Sequence, residues 1–219
     1  MNKLQTMLIT LAVSSVTAFS VQAQEVKGDA KAAEQKIAMC IGCHGIKGYQ
    51  ASFPEVYRVP MISGQNAKYI VNALNAYKKG ERKHPTMRGI AESLSEQDMA
   101  DMAAYYEQHG KTATPAPAAA PADAKVAALL QKGACVSCHG DNFSKPVDPG
   151  YPKIAGQHKD YLFVALKSYK VENQATWGRS NGVMGGIAKQ FSNAELKALS
   201  AYLAGLQGEL YTIPQSKFR

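Results

Sequence analysis

Apolar positions along the chain fall into three patterns. From Met7 to Phe19 they are nearly continuous, preceded by Asn2 and Lys3 and followed by Val21-Gln22-Ala23. A cationic start, an apolar run too short for a bilayer core of about 30 Å, and small residues after it predict a secretory signal peptide. The expectation is cleavage near Ala23, export to the periplasm, a mature chain from about Gln24, and no transmembrane segment. The second pattern is helical. Within 67–79, Ile70, Val71, Leu74 and Tyr77 recur at the spacing of one helix face. An Ala- and Lys-rich segment over 30–39 also reads as helix. Ser95-Glu-Gln-Asp98 and Ser192-Asn-Ala-Glu195 are capping boxes, each predicting the start of a helix. No segment alternates apolar and polar residues as a half-buried strand would, so the expected class is all-α. The third pattern is the absence of large apolar residues over 114–124, where Pro and Ala predict a semi-rigid exposed linker.

On either side of that linker the same order of residues occurs twice. Cys40-Ile-Gly-Cys43-His44 returns as Cys135-Val-Ser-Cys138-His139, 95 positions later. Pro60-Met-Ile-Ser-Gly-Gln65 returns as Pro152-Lys-Ile-Ala-Gly-Gln157, 92 positions later, and Tyr69 returns as Tyr161. Met87-Arg-Gly-Ile-Ala91 returns as Met184-Gly-Gly-Ile-Ala188, at an offset of 97 that the two capping boxes share. So long a period means duplicated domains, not a solenoid. The predicted organisation is signal peptide 1–23, first domain 24–112, linker 113–123 and second domain 124–219. Each domain is short for a self-sufficient apolar core, so a bound group is expected to supply buried surface.

All four cysteines lie in the two Cys-x-x-Cys-His units. Two cysteines three apart on a helical turn suit thioethers to the two vinyl groups of one porphyrin, and the next residue then offers its imidazole to the iron. This is the attachment pattern of haem c. Disulfides, a redox dithiol and a zinc site all compete for cysteine pairs, but none explains a histidine after both. The predicted cofactors are therefore two covalent haem c groups, held by Cys40, Cys43, Cys135 and Cys138, with His44 and His139 on the irons. For the opposite axial position the repeat selects Met87 and Met184. Met184 is the only methionine of the second domain, and neither His84 nor His158 has a histidine at the matching position. Met39, Met61, Met99 and Met102 read as packing residues. Pro60 and Pro152 read equally as turn residues and as carbonyl acceptors for the histidine Nδ1 protons. Tyr105, Tyr202 and Trp177 read as packing aromatics.

The formal charge is +8, or +7 without Lys3, and its lysines are scattered instead of forming a block. Nucleic acid is not expected as a partner, and an acidic redox protein is.

Two Cys-x-x-Cys-His domains, each followed by Pro-x-Ile-x-Gly-Gln, a tyrosine-bearing helix, Met-x-Gly-Ile-Ala and a capped last helix, resemble the dihaem cytochrome c4 family. The resemblance implies two cytochrome c-like helical domains with His/Met iron and an electron carrier instead of an enzyme. It implies a periplasmic protein, soluble or in loose membrane association. Its donor would be a quinol-oxidising complex or dehydrogenase, and its acceptor an oxidase or reductase. The alternative is the electron-accepting subunit of a periplasmic dehydrogenase, such as a flavocytochrome c. A dihaem peroxidase fits less well, because both axial positions are filled.

Residues 24–112 carry 12 basic and 10 acidic side chains, and residues 113–219 carry 12 and 7. Reduction adds negative charge, so the haem in the more positive second domain should have the higher potential, although screening over about 8–10 Å keeps the effect modest. Redox titration of each domain expressed alone should show this order, and a higher potential in the first domain would overturn it.

Overall fold

A computed structural model describes residues 26–111, 114–172 and 174–214. The signal-peptide expectation over 1–23 lies outside these residues.

The first half contains α1 (Ala30–Ala33), α2 (Ala38–His44), α3 (Ala67–Lys78), α4 (Pro85–Glu92) and α5 (Glu96–Gln108). The second half repeats this order as α6 (Ala124–Lys132), α7 (Val136–His139), α8 (Lys159–Ser168), α9 (Gly182–Ala188) and α10 (Asn193–Gly205). Both predicted capping boxes form. Ser95 Oγ accepts from Asp98 N at 3.1 Å and Ser192 Oγ from Glu195 N at 3.2 Å, while each acidic side chain accepts the serine N–H in return. The long helices α5 and α10 then close the two cores. Met99 and Met102 on α5 are fully buried with Ile37, Ile41, Ile70 and Leu94, as packing residues should be. Leu196 and Leu199 on α10 play the same part against Val126 and Leu129 of α6.

Two short strand pairs depart from the all-helical expectation. Strands β1 (Gln50–Ala51) and β2 (Tyr57–Arg58) pair within the first domain. Strands β3 (Arg82–Lys83) and β4 (Gly178–Arg179) pair antiparallel across the domains, with Arg82 opposite Arg179. A two-residue strand is too short to show a period of two, and the partner of β3 is nearly a hundred residues away.

The interdomain contact is built from matching pieces of both halves. Buried Gln65 bonds both backbone groups of Lys153, and buried Gln157 does the same to Met61. Arg58 meets Asp160 at 3.0 Å and Lys167 meets Glu55 at 2.7 Å, so each domain contributes one cation and one anion. The C-terminal segment adds a strap, with Tyr211 N donating to Ser63 O at 3.0 Å. The Pro/Ala segment is mostly exposed, as expected, but it is not a free spacer. Ala116 N donates to Glu209, Asn142 donates to Ala116 O, and the Tyr202 hydroxyl donates to Ala120 O. Three of its backbone groups are thus tied to the second domain, at Ala116 and Ala120.

Gly64 has φ +85°, and a Cβ there would sit 2.1 Å from the carbonyl oxygen of Glu209 in the strap. Gly80 has φ +74° with open space around it. Gly80→Ala should therefore cost only the left-handed backbone penalty, about 1–2 kcal/mol. Gly64→Ala should cost distinctly more, because the strap must move as well. Urea denaturation of both variants checks the order.

Candidate haem sites

In the first domain, α2 carries Cys40, Cys43 and His44 in one turn and a half, and in the second α7 begins directly after Cys135 and carries Cys138 and His139. The N-terminal entry to the first site is pinned by Asp101, whose buried carboxylate accepts from Asp29 N at 2.8 Å. None of the four cysteines is in a disulfide. Burial pushes the Cys40 thiol up to about 11 and the Cys135 thiol up as well. A redox dithiol or a zinc thiolate needs the opposite shift. Among the described residues no group of three or more His, Cys, Asp or Glu stands ready to hold a metal directly.

Both histidines are oriented in the same way. His44 Nδ1 donates to the carbonyl of Pro60 at 2.8 Å, and His139 Nδ1 donates to that of Pro152 at 3.1 Å. A carbonyl only accepts, so the proton sits on Nδ1 and Nε2 keeps its lone pair. Burial lowers the pKa of both rings, more than the carbonyl bonds raise it, and both are therefore neutral. Of the two readings open for Pro60 and Pro152, the carbonyl acceptor is the one that forms.

Met87 and Met184 are half-buried in the first turns of α4 and α9. Their backbone N–H groups are capped from the same relative position by different residues. His84 Nδ1 accepts from Met87 N at 3.3 Å, and Asn181 Oδ1 accepts from Met184 N at 2.9 Å. His84 is thus a helix cap whose counterpart is asparagine, which explains why the repeat does not keep a histidine there. His158 stands before α8 without a capping bond, and His109 Nδ1 meets Ser63 Oγ at 3.0 Å. Met61 has its backbone held by Gln157, Met39 is exposed, and Trp177 lies under the Lys167 ammonium at 5.6 Å.

One pair escaped the sequence reading. Arg82 and Arg179 are 97 positions apart, the offset of the two methionines, and each lies over two tyrosines of its own domain. The ring distances are 5.2 Å and 5.7 Å to Tyr69 and Tyr77, and 5.6 Å and 5.4 Å to Tyr161 and Tyr169. Each also donates to a tyrosine hydroxyl, at 3.0 Å and 3.1 Å. Like charges directly opposite on paired strands repel, and among the described residues neither guanidinium has a carboxylate ion-pair partner. A group that brings carboxylates to this boundary would answer that charge, and a haem brings two. The free cysteine pairs, the bare histidine Nε2 atoms and this cationic pair all fit haem.

Comparison with known proteins agrees. The sequence profile of cytochrome c matches residues 30–110 and 124–207. Cytochrome c4 of Stutzerimonas stutzeri is 32% identical across 94% of this chain and 100% of its own length. The chain belongs to the cytochrome c4 family. Two cytochrome c domains imply two covalently bound haem c groups, and the chain is a dihaem electron-transfer cytochrome. The crystal structure of reduced recombinant cytochrome c4 from Pseudomonas stutzeri matches with a TM-score of 0.59 and 29% identity, covering 82% of this chain and 100% of that one. A thiosulfate dehydrogenase electron acceptor of Thiomonas intermedia is 29% identical over 79% of this chain and 81% of its own. No helix among the described residues is long and apolar enough to cross a membrane.

The cap on Met184 can be tested by itself. Asn181→Ala leaves the Met184 N–H without its acceptor and should cost about 1 kcal/mol of unfolding free energy. Thermal unfolding of the haem-loaded protein reads this directly.

Proposed function

We propose that this cytochrome c4 relative is a periplasmic electron carrier whose irons are held by His44 and Met87 in a first domain, 24–112, and by His139 and Met184 in a second, 124–219. Cys40 and Cys43 attach one haem, and Cys135 and Cys138 the other. The repeated bond from His Nδ1 to a proline carbonyl carries this reading, because it leaves a lone pair on Nε2 at the same place in both motifs. A haem bound there would supply one-electron chemistry, and an imidazole and a thioether as its ligands would favour the reduced form.

The chain's own residues do the rest. The proline carbonyls fix ring orientation and raise ligand basicity. His84 and Asn181 set the first turns from which Met87 and Met184 project. The packed domains, joined by β3–β4 and the two glutamines, keep both sites in one body, so that an electron entering at one domain need not wait for diffusion to reach the other. Electrons would come from a quinol-oxidising complex or dehydrogenase and leave to an oxidase or reductase. The similarity to the thiosulfate dehydrogenase electron acceptor favours one second reading, that the donor is a soluble dehydrogenase of the same compartment.

Met184→Ala tests the assignment. The denatured wild-type protein should retain haem stain, and its mass should exceed the processed polypeptide by two haem groups. The variant should keep both haems but lose the methionine–iron charge-transfer band of one. A wild-type spectrum lacking that band at either iron would refute the ligand set.

A further inference from the structure

The bond that orients each histidine does not end at the proline. The peptide group that accepts from His44 is the one joining Pro60 to Met61, and its other end is the Met61 N–H. That N–H donates to Gln157 Oε1 at 3.0 Å, and Gln157 Nε2 donates to Met61 O at 2.9 Å. In the second domain the peptide joining Pro152 to Lys153 accepts from His139. Its N–H donates to Gln65 Oε1 at 2.9 Å, and Gln65 Nε2 donates to Lys153 O at 3.0 Å. Both glutamines are about 4% exposed, and each amide oxygen takes a second bond from the next residue's own N–H, Asn66 or His158. Backbone N–H groups only donate and backbone carbonyls only accept, so the orientation of both side-chain amides is fixed by chemistry. Each glutamine therefore belongs to one domain and grips the histidine-supporting peptide of the other.

We propose that Gln157 and Gln65 are positioning residues that tune the axial histidine of the opposite domain through one peptide group each. The proposal rests on the ligand assignment above. A peptide whose N–H is donated is a better acceptor at its carbonyl, and the gain is greatest where water is excluded. A stronger pull on the Nδ1 proton makes Nε2 a more basic ligand, which favours ferric iron. Cutting the relay at the glutamine relaxes that pull and favours ferrous iron. A glutamine acting only as interface packing has no reason to act on the distant iron selectively.

The test uses full-length protein carrying both haems, with Gln157→Met and Gln65→Met, which keep length and lose the amide. Haem mass and the methionine–iron bands are measured first, since their failure in the wild type refutes the ligand assignment and not the relay. Gln157→Met should raise the midpoint potential of the haem held by His44 and leave the other within error. Gln65→Met should do the reverse. Potentials unmoved in both variants, both haems moving together, or a shift confined to the substituted residue's own domain would each overturn the proposal. A second readout covers a variant with a loosened interface: the Nδ1–H proton resonance of His44 in the ferrous protein. It should move upfield in Gln157→Met but not in Gln157→Glu, whose carboxylate still accepts from the Met61 N–H at least as strongly. The same resonance position in wild type and Gln157→Met would also overturn it.

Discussion

Two peptide groups, Pro60–Met61 and Pro152–Lys153, hold the site and the interface together at once. Each has its oxygen committed to a histidine of its own domain and its N–H to a glutamine of the other. A buried peptide must satisfy both ends or lose about 1–3 kcal/mol per orphaned group. Removing the glutamine side chain within the docked pair would strand the N–H, and removing the histidine would strand the carbonyl. The domains are thus docked by the groups that orient the two histidines proposed as iron ligands, and the two roles share the same peptides.

Much of this was legible in the chain. The Cys-x-x-Cys-His units, the capping boxes at Ser95 and Ser192 and the matched methionines are local patterns, and their geometry is settled within a turn or two of helix. Duplication strengthened every such reading, because a residue kept at the same offset in both copies is unlike one kept in neither. His84 shows the limit: its failure to repeat argued against iron ligation, but its capping role emerged only when Asn181 was seen accepting from the equivalent N–H. What could not be read was which surfaces of the two copies face each other. Gln65 and Gln157 stood in the repeated motif, yet their partners are 88 and 96 residues away. Arg82 and Arg179 shared the methionine offset, but nothing local says that they oppose each other on paired strands. The linker's anchoring was hidden for the same reason. Pro and Ala composition describes an isolated segment and is blind to the Glu209, Asn142 and Tyr202 side chains that tie it down.

The charged contacts across the boundary follow the same reciprocity with less consequence. Arg58–Asp160 and Lys68–Asp148 send cations from the first domain, and Lys167–Glu55 sends one back. All are a quarter to a half exposed, a regime in which an ion pair contributes about 0–1 kcal/mol. They set which faces attract, while the buried glutamines set register. The arginine pair is different, because its repulsion is not screened by water to the same degree. Burial pushes the nearby Tyr169 phenol up, but Arg179 and Arg82 pull it down further.

A pseudo-symmetric pair would give two equal haems unless particular positions break the equivalence. The repeat identifies where it breaks. Met61 in the first peptide is replaced by Lys153 in the second, and Lys153 is ion-paired to Glu209 at 2.7 Å. His84 caps Met87 where Asn181 caps Met184. The carbonyl bond is shorter at His44, 2.8 Å, than at His139, 3.1 Å. A shorter bond withdraws the Nδ1 proton more strongly, makes the ligand more basic and favours ferric iron. With His44 and His139 as the proposed ligands, this difference would hold the first haem toward the lower potential. The larger positive charge of the second domain acts in the same direction, since it favours the reduced form there. On the proposed ligand set the through-bond and through-space effects point the same way, and the order they predict is the first domain as donor and the second as acceptor within the molecule.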